Sequence, residues 1–361
     1  MFRRSLSAPL ALLGTALLLG GCGSSGGVTD PPPSATTGSI ALAISGLPTD
    51  VPPSVTVTGP GGFTTTATSS RTIADLAPGN YTITPARAAD RTIGYEAAGA
   101  VVTVTAGQSV AAPATYAVRR LTRSTANRTD ETTSARAKLL YALPSDGTDR
   151  NFDTDGTIHR IISSGQRWLA SQTGGRHLRY DAFDGGLDIA FIRLPRTDAA
   201  YLAYGAQIRD TLEKDLRAAG FNQSNVLLLA FYDGRHVDRC ASAAWPPSLQ
   251  GSLGAMYLRG APTAALPCAG NAFAATTVAA PGYWEFVTQH EIFHLLGVVS
   301  VWAPNHALSG HVGNDPTDLM YAGSQGWRPS TVDVTKTNFY TASTLGTGVT
   351  NFRDSPYVIT P

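Results

Sequence analysis

The feature that most constrains this 361-residue chain is a change of hydrophobic period near residue 120. Upstream, apolar residues alternate in short segments: SIALAI, SVTVTG, TTTATS, TIADLAPGNYTITPA, AVVTVTAG and ATYAVR. Most are rich in Val, Thr, Ile or Tyr and are bounded by Gly or Pro. Period two with frequent turns is the signature of short strands buried on one face. Residues 38–120 therefore read as a small antiparallel β-sandwich. The next stretch, LTRSTANRTDETTSAR (121–136), is polar and aperiodic and reads as an interdomain linker. From residue 137 strand-like and helix-like segments alternate, so 137–361 reads as a mixed α/β (α+β) domain. The expected architecture is multidomain, an all-β sandwich followed by an α/β unit.

Within the second unit, KLLYAL reads as a first strand. TIHRIISSGQRWLASQTGG reads as a helix with Ile158, Ile161, Ile162, Trp168 and Leu169 on one face. HLRYDAF and LDIAFIRL read as strands, and DAAYLAYGAQIRDTLEKDLRAAG as one longer helix ended by Gly220. NVLLLAFYDG suits a buried central strand and SLGAMYLRG a further short one. The spacing of the first unit resembles immunoglobulin-like or prealbumin-like modules, and LAPGNYTITPA resembles a turn of bacterial surface modules. That resemblance implies a spacer or weak adhesion unit.

The amino terminus, MFRRSLSAPLALLGTALLLGGC, joins a basic start (Arg3, Arg4) to an apolar stretch over 8–19 and then small residues, so 1–21 reads as an export signal. Its end, Leu19-Gly20-Gly21-Cys22, resembles the lipobox of bacterial lipoproteins. The resemblance implies lipidation of Cys22, a flexible tether over 22–37, and a protein held to a membrane of the bacterial cell envelope by its amino-terminal lipid. Giving Cys22 to lipid leaves Cys240 and Cys268 as one possible disulfide in an oxidising compartment. A net charge of +1, with 15% charged residues and no basic run, argues against nucleic acid as a partner.

Chemistry concentrates in VTQHEIFHLLGVVS (287–300). On a helix His290 and His294 lie one turn apart on the same face, so both imidazoles can reach one ion. Glu291 is offset from them and placed to take a proton from water that the metal activates. With 7 histidines in the chain, random order would give this pattern in roughly 0.2% of cases. Four of the seven fall between 290 and 311. The bland alternative is a helix whose histidines are satisfied in the core.

The spacing resembles the metzincin branch of zinc metallopeptidases, HExxHxxGxxH followed by a methionine turn, with His290, Glu291, His294 and Gly297 in register. Gly297 would end the helix in a sharp turn that swings the next ligand back. The chain departs from the family at Ser300, where the third histidine belongs. Farther on, DLMY resembles the methionine turn, with Met320 beneath the site. His311 precedes Met320 by about the distance seen in matrixin-like members, so the resemblance implies an insertion after Gly297 and His311 as third ligand. His306 is the alternative third ligand and Asp318 a more remote one. Tyr321 follows Met320 too closely for the tyrosine role some members have, and the loop over 300–309 would shape one wall of the cleft. The resemblance also gives residues 252–259 the role of an edge strand that pairs with extended substrate.

Other patterns are weaker. Asn151, Asp153, Asp155 and Gly156 suit the start of a calcium loop, but the twelfth position is Ile162, so a turn capping the next helix is the better reading. His159, His177 and His236 are isolated and read as surface or satisfied core residues. The only GxSxG match lies in the tether, which leaves a serine hydrolase without support. The sequence thus points to a secreted, lipid-anchored endopeptidase with one catalytic Zn²⁺, acting on extended peptide or protein. The rivals are a surface binding or adhesion lipoprotein with a structural or vestigial metal, and a zinc amidase acting on cell-wall peptides.

Overall fold

The computed structural model describes residues 36–90, 93–130, 132–260, 281–341, 346 and 349–361. The export leader, Cys22 and Cys268 lie outside the described residues.

The first unit is made of β1 (Gly38–Ser45), β2 (Val55–Thr58), β3 (Thr64–Ala67), β4 (Arg71–Leu76), β5 (Gly79–Pro85), β6 (Ala88–Asp90), β7 (Ile93–Glu96), β8 (Ala100–Val104), β9 (Ser109–Thr115) and β10 (Ala117–Val118). They form a sheet ordered β4-β1-β9, a second ordered β3-β2-β5-β8, and a small third ordered β10-β7-β6. Alternation does the work expected of it: Ile40 and Leu42 from one sheet, and Val55, Val57, Tyr81 and Ile83 from the other, are all buried. The expectation of purely antiparallel pairing is corrected, because β1 and β9 run parallel from Ser39↔Ser109 to Ser45↔Thr115. The two strands are joined by the rest of the module and not by a hairpin, so no tight turn dictates their direction.

Residues 121–135 connect the two units and are fastened to the second. Arg123 places its guanidinium among Asp149, Asn151 and Asp153 and over the Phe191 ring, and Arg128 binds buried Asp188. The oxygens of the calcium-like sequence are thus turned onto an arginine, while Asp155 accepts the Thr157 amide at 2.7 Å and caps the following helix. Across the junction Arg167 reaches Asp90, Tyr95 and Asp50.

The second unit contains β11 (Arg136–Leu143), α1 (Thr157–Thr173), the short strands β12 (His177–Leu178), β13 (Ala182–Phe183) and β14 (Gly186–Leu187), then β15 (Ile189–Arg193), α2 (Asp198–Leu202), α3 (Ile208–Ala218), β16 (Val226–Tyr232), β17 (Ala241–Trp245), β18 (Leu249–Tyr257), α4 (Tyr283–Leu295), β19 (His306–Ala307), β20 (His311–Val312) and β21 (Val358–Ile359). Its sheet is ordered β15-β11-β16-β18-β17, parallel except for the antiparallel edge strand β17. Because β11 and β16 are buried throughout, their alternate residues feed two cores. Leu139, Tyr141, Leu229 and Phe231 pack in the core shared with α1 and α4 residues such as Ile158 and Phe293. Leu140, Ala142, Leu228 and Ala230 join Leu212 and Leu216 of α3 in the other.

Two expectations are corrected here. The single helix over 198–220 is α2, a 3-10 turn (Gly205–Gln207) and α3, because Gly205 adopts a positive φ of 56° that interrupts helical geometry. The strand at 252–259 is not an edge: β18 is paired on one side with β16 and on the other with β17, so the edge is β17.

His159, His177 and His236 are buried, which excludes a surface role. Burial drives the imidazoles of His159 and His236 down to about 4, opposed by Asp155 in one case and Asp238 in the other. Both rings are therefore neutral in the fold, whereas the unfolded chain binds their protons below about 6.5. Stability is fully present above that value and falls as pH drops towards 4, by about 3 kcal/mol per histidine at the lower end. His159→Gln should flatten the dependence of the urea midpoint on pH between 4 and 6.5; an unchanged slope would show that His159 does not contribute.

Candidate metal centre

Helix α4 lies against α1 and the β17–β18 side of the sheet, and nearly all of its residues from Trp284 to Leu295 are buried. Its end is set by Gly297 at φ 72°, where the amide donates to the His294 carbonyl at 2.8 Å; a side chain there would strike the Pro246 carbonyl. The chain then runs through 298–305 into the hairpin β19–β20. His306 pairs with Val312 and Ala307 with His311.

This route brings His311 to His290 and His294. The three Nε2 atoms form a triangle with sides of 3.0, 3.1 and 3.2 Å. Two nitrogens bound at about 2.0–2.1 Å to one tetrahedral zinc lie about 3.3 Å apart, so the donors present fit a single ion of that kind. Two of the rings are aimed by backbone carbonyls, while Nδ1 of His294 is buried without a hydrogen-bond partner among the described residues. His290 Nδ1 meets the Leu319 carbonyl at 2.8 Å and His311 Nδ1 meets the Leu308 carbonyl at 2.8 Å, which leaves Nε2 as the ligating atom. Trp327 stands edge-on to the His290 ring and donates its indole N–H to the same Leu319 carbonyl. Burial holds His290 down to about 3, with the charge of His311 adding to it, and keeps His294 well below its usual range. Neutral imidazole is the form that binds metal.

Glu291 is 6% exposed, and its Oε2 has no hydrogen-bond partner among the described residues. Burial pushes its carboxyl up to about 8, against the pull of Arg239. It lines a cavity of about 660 Å³ together with His290, His294, His311 and most of the edge strand β17. A smaller cavity of about 240 Å³ opens beside it between Tyr283, Val287, Tyr321 and Trp327.

The remaining candidates are placed elsewhere. His306 stacks on Trp245 with ring centroids 5.7 Å apart and stays outside the histidine triangle. Asp318 is buried and accepts the amides of Met320 and Val334; it shapes the turn and offers no ligand. Met320 is fully buried, and its carbonyl accepts the amide of Val312, tying the turn to the strand that carries His311. Tyr321 spends its hydroxyl on the Gln325 amide. Ser309, from the loop after Gly297, lines the larger cavity. Cys240 is disulfide-bonded, and both other cysteines of the chain lie outside the described residues. Sequence reading missed the Leu319 and Leu308 carbonyls, which carry no residue signal, and the wall formed by ASAAW, whose small residues show no strand pattern.

Comparisons with known proteins add no family. No family model matches the chain and no curated protein matches it. Among solved structures, the minor pilin GBS52 of Streptococcus agalactiae aligns at a TM-score of 0.21 and 12% identity, over 26% of this chain and 50% of that one. A chaperone–substrate complex aligns at 0.30 and 12%, over 78% of this chain and 38% of that one. Neither score defines a shared fold. Three histidines positioned to bind a metal are therefore what the molecule itself establishes.

Proposed function

We propose that this chain is a secreted, lipid-anchored, zinc-dependent endopeptidase of the metzincin type. The observation that carries the reading is the Nε2 triangle on α4 and β20, with the unpartnered Glu291 carboxylate oxygen on the same helix and in the same cavity. His290, His294 and His311 would hold the ion. When bound, zinc supplies Lewis acidity, bringing the pKa of a water to about 7 and polarising a peptide carbonyl.

The chain's own groups do the rest. Glu291 accepts the proton of the attacking water and delivers it to the amine nitrogen as the carbon–nitrogen bond breaks. The outer edge of β17 has no strand partner among the described residues, so an extended peptide can add to it through main-chain hydrogen bonds. That mode suits protein substrates of varied sequence. Export with Cys22 as lipid anchor follows from the leader, and the disulfide at Cys240 fits an oxidising compartment. An adhesin with a structural metal has no need of a buried carboxylate beside the three histidines.

Zinc-loaded protein should cleave an unstructured protein such as casein, lose that activity on chelation, and regain it with zinc. Absence of cleavage by fully loaded protein would refute the peptidase reading.

A further inference from the structure

Arg239 is the one permanent cation among the described residues that line the larger cavity. It stands two residues before β17, separated from the strand by disulfide-bonded Cys240. Its side chain is 48% exposed. The only hydrogen bonds it makes among the described residues run from Nε and Nη2 to the carboxylate of Asp238, the adjacent residue, itself 59% exposed. Nη1 makes no hydrogen bond to a described residue.

An ion pair between two exposed neighbours contributes little and yields readily to a better-placed carboxylate. Guanidinium binds carboxylate through two parallel hydrogen bonds, and the interaction strengthens where the cleft wall and a bound ligand exclude water. Residues Ala241 to Trp245 are uncharged and the neighbouring Asp238, which also lines the cavity, is acidic, so Arg239 is the group of that wall able to attract a substrate carboxylate once it is released from Asp238.

Resting on the peptidase reading, we infer that Arg239 is a specificity-determining residue that selects peptides carrying Asp or Glu where the substrate strand passes the Cys240 end of β17. The preference is for a carboxylate and not for side-chain size.

Matched peptides differing only by Glu or Gln, at each of three positions on either side of the cleaved bond, test this. At one position the wild-type protein should favour Glu by about tenfold in kcat/KM, which corresponds to about 1.4 kcal/mol. Arg239→Lys should keep the direction of that preference and Arg239→Glu should reverse it. A Glu-to-Gln ratio unmoved by Arg239→Glu would overturn the inference. If the wild-type protein cleaves no peptide, the peptidase reading fails separately. The same peptides are then titrated against zinc-loaded protein by tryptophan fluorescence, and a binding ratio that Arg239→Glu leaves unchanged overturns the role of Arg239 itself.

Discussion

Glu291→Gln should leave the protein fully loaded with zinc while slowing peptide hydrolysis by about 10²–10⁴-fold, the usual contribution of a positioned proton-transfer group. The two side chains have the same shape, but an amide cannot take up the proton. Little else should change. Oε2 of Glu291 makes no hydrogen bond to a described residue, so an amide of the same shape breaks none at that atom. The measurement pairs zinc content by atomic emission with kcat on a single peptide. Undiminished hydrolysis would remove Glu291 from the mechanism, and loss of zinc together with activity would make it structural.

His311→Ala should release the metal. It deletes one corner of the 3.0–3.2 Å triangle, and two remaining imidazoles do not complete a catalytic zinc site. The loss of affinity should exceed the roughly 10–100-fold that changes to groups behind the ligands cause. After dialysis, less than half an equivalent of zinc should remain in the variant. His306→Ala is the control and should stay loaded, because that ring stacks on Trp245 outside the triangle. Equal zinc loss in both variants would mean that the hairpin, and not His311 as ligand, sustains the site.

The contrast between these two histidines shows where sequence reading stops. His290, Glu291 and His294 are legible because helical periodicity places them without help from the rest of the fold. His306 and His311 are both near enough in sequence to serve, and loop length cannot separate them. The hairpin does: His306 pairs with Val312 and His311 with Ala307, so His306 and His311 project to opposite faces. One ring meets α4 and the other Trp245. The same limit explains the misplaced edge strand. SLGAMY has the stronger strand character, but being an edge is a property of what pairs alongside, and ASAAW takes that place by folding back on β18. The helix broken at Gly205 is a milder case, in which an apolar face continues through a residue whose backbone turns away.

The sequence alone determined the division into an alternating β unit and a mixed α/β unit, the helix that carries two imidazoles and a carboxylate on adjacent faces, and the turn that ends it at Gly297. These depend on periods of two and 3.6 and on glycine's freedom at positive φ, all local properties of the chain. Tertiary structure alone decided that His311 closes the triangle, that the Leu319 and Leu308 carbonyls orient the rings of His290 and His311, and that β17 forms the open wall of the cavity. Those outcomes depend on contacts between residues distant in sequence and on backbone groups that every residue carries alike.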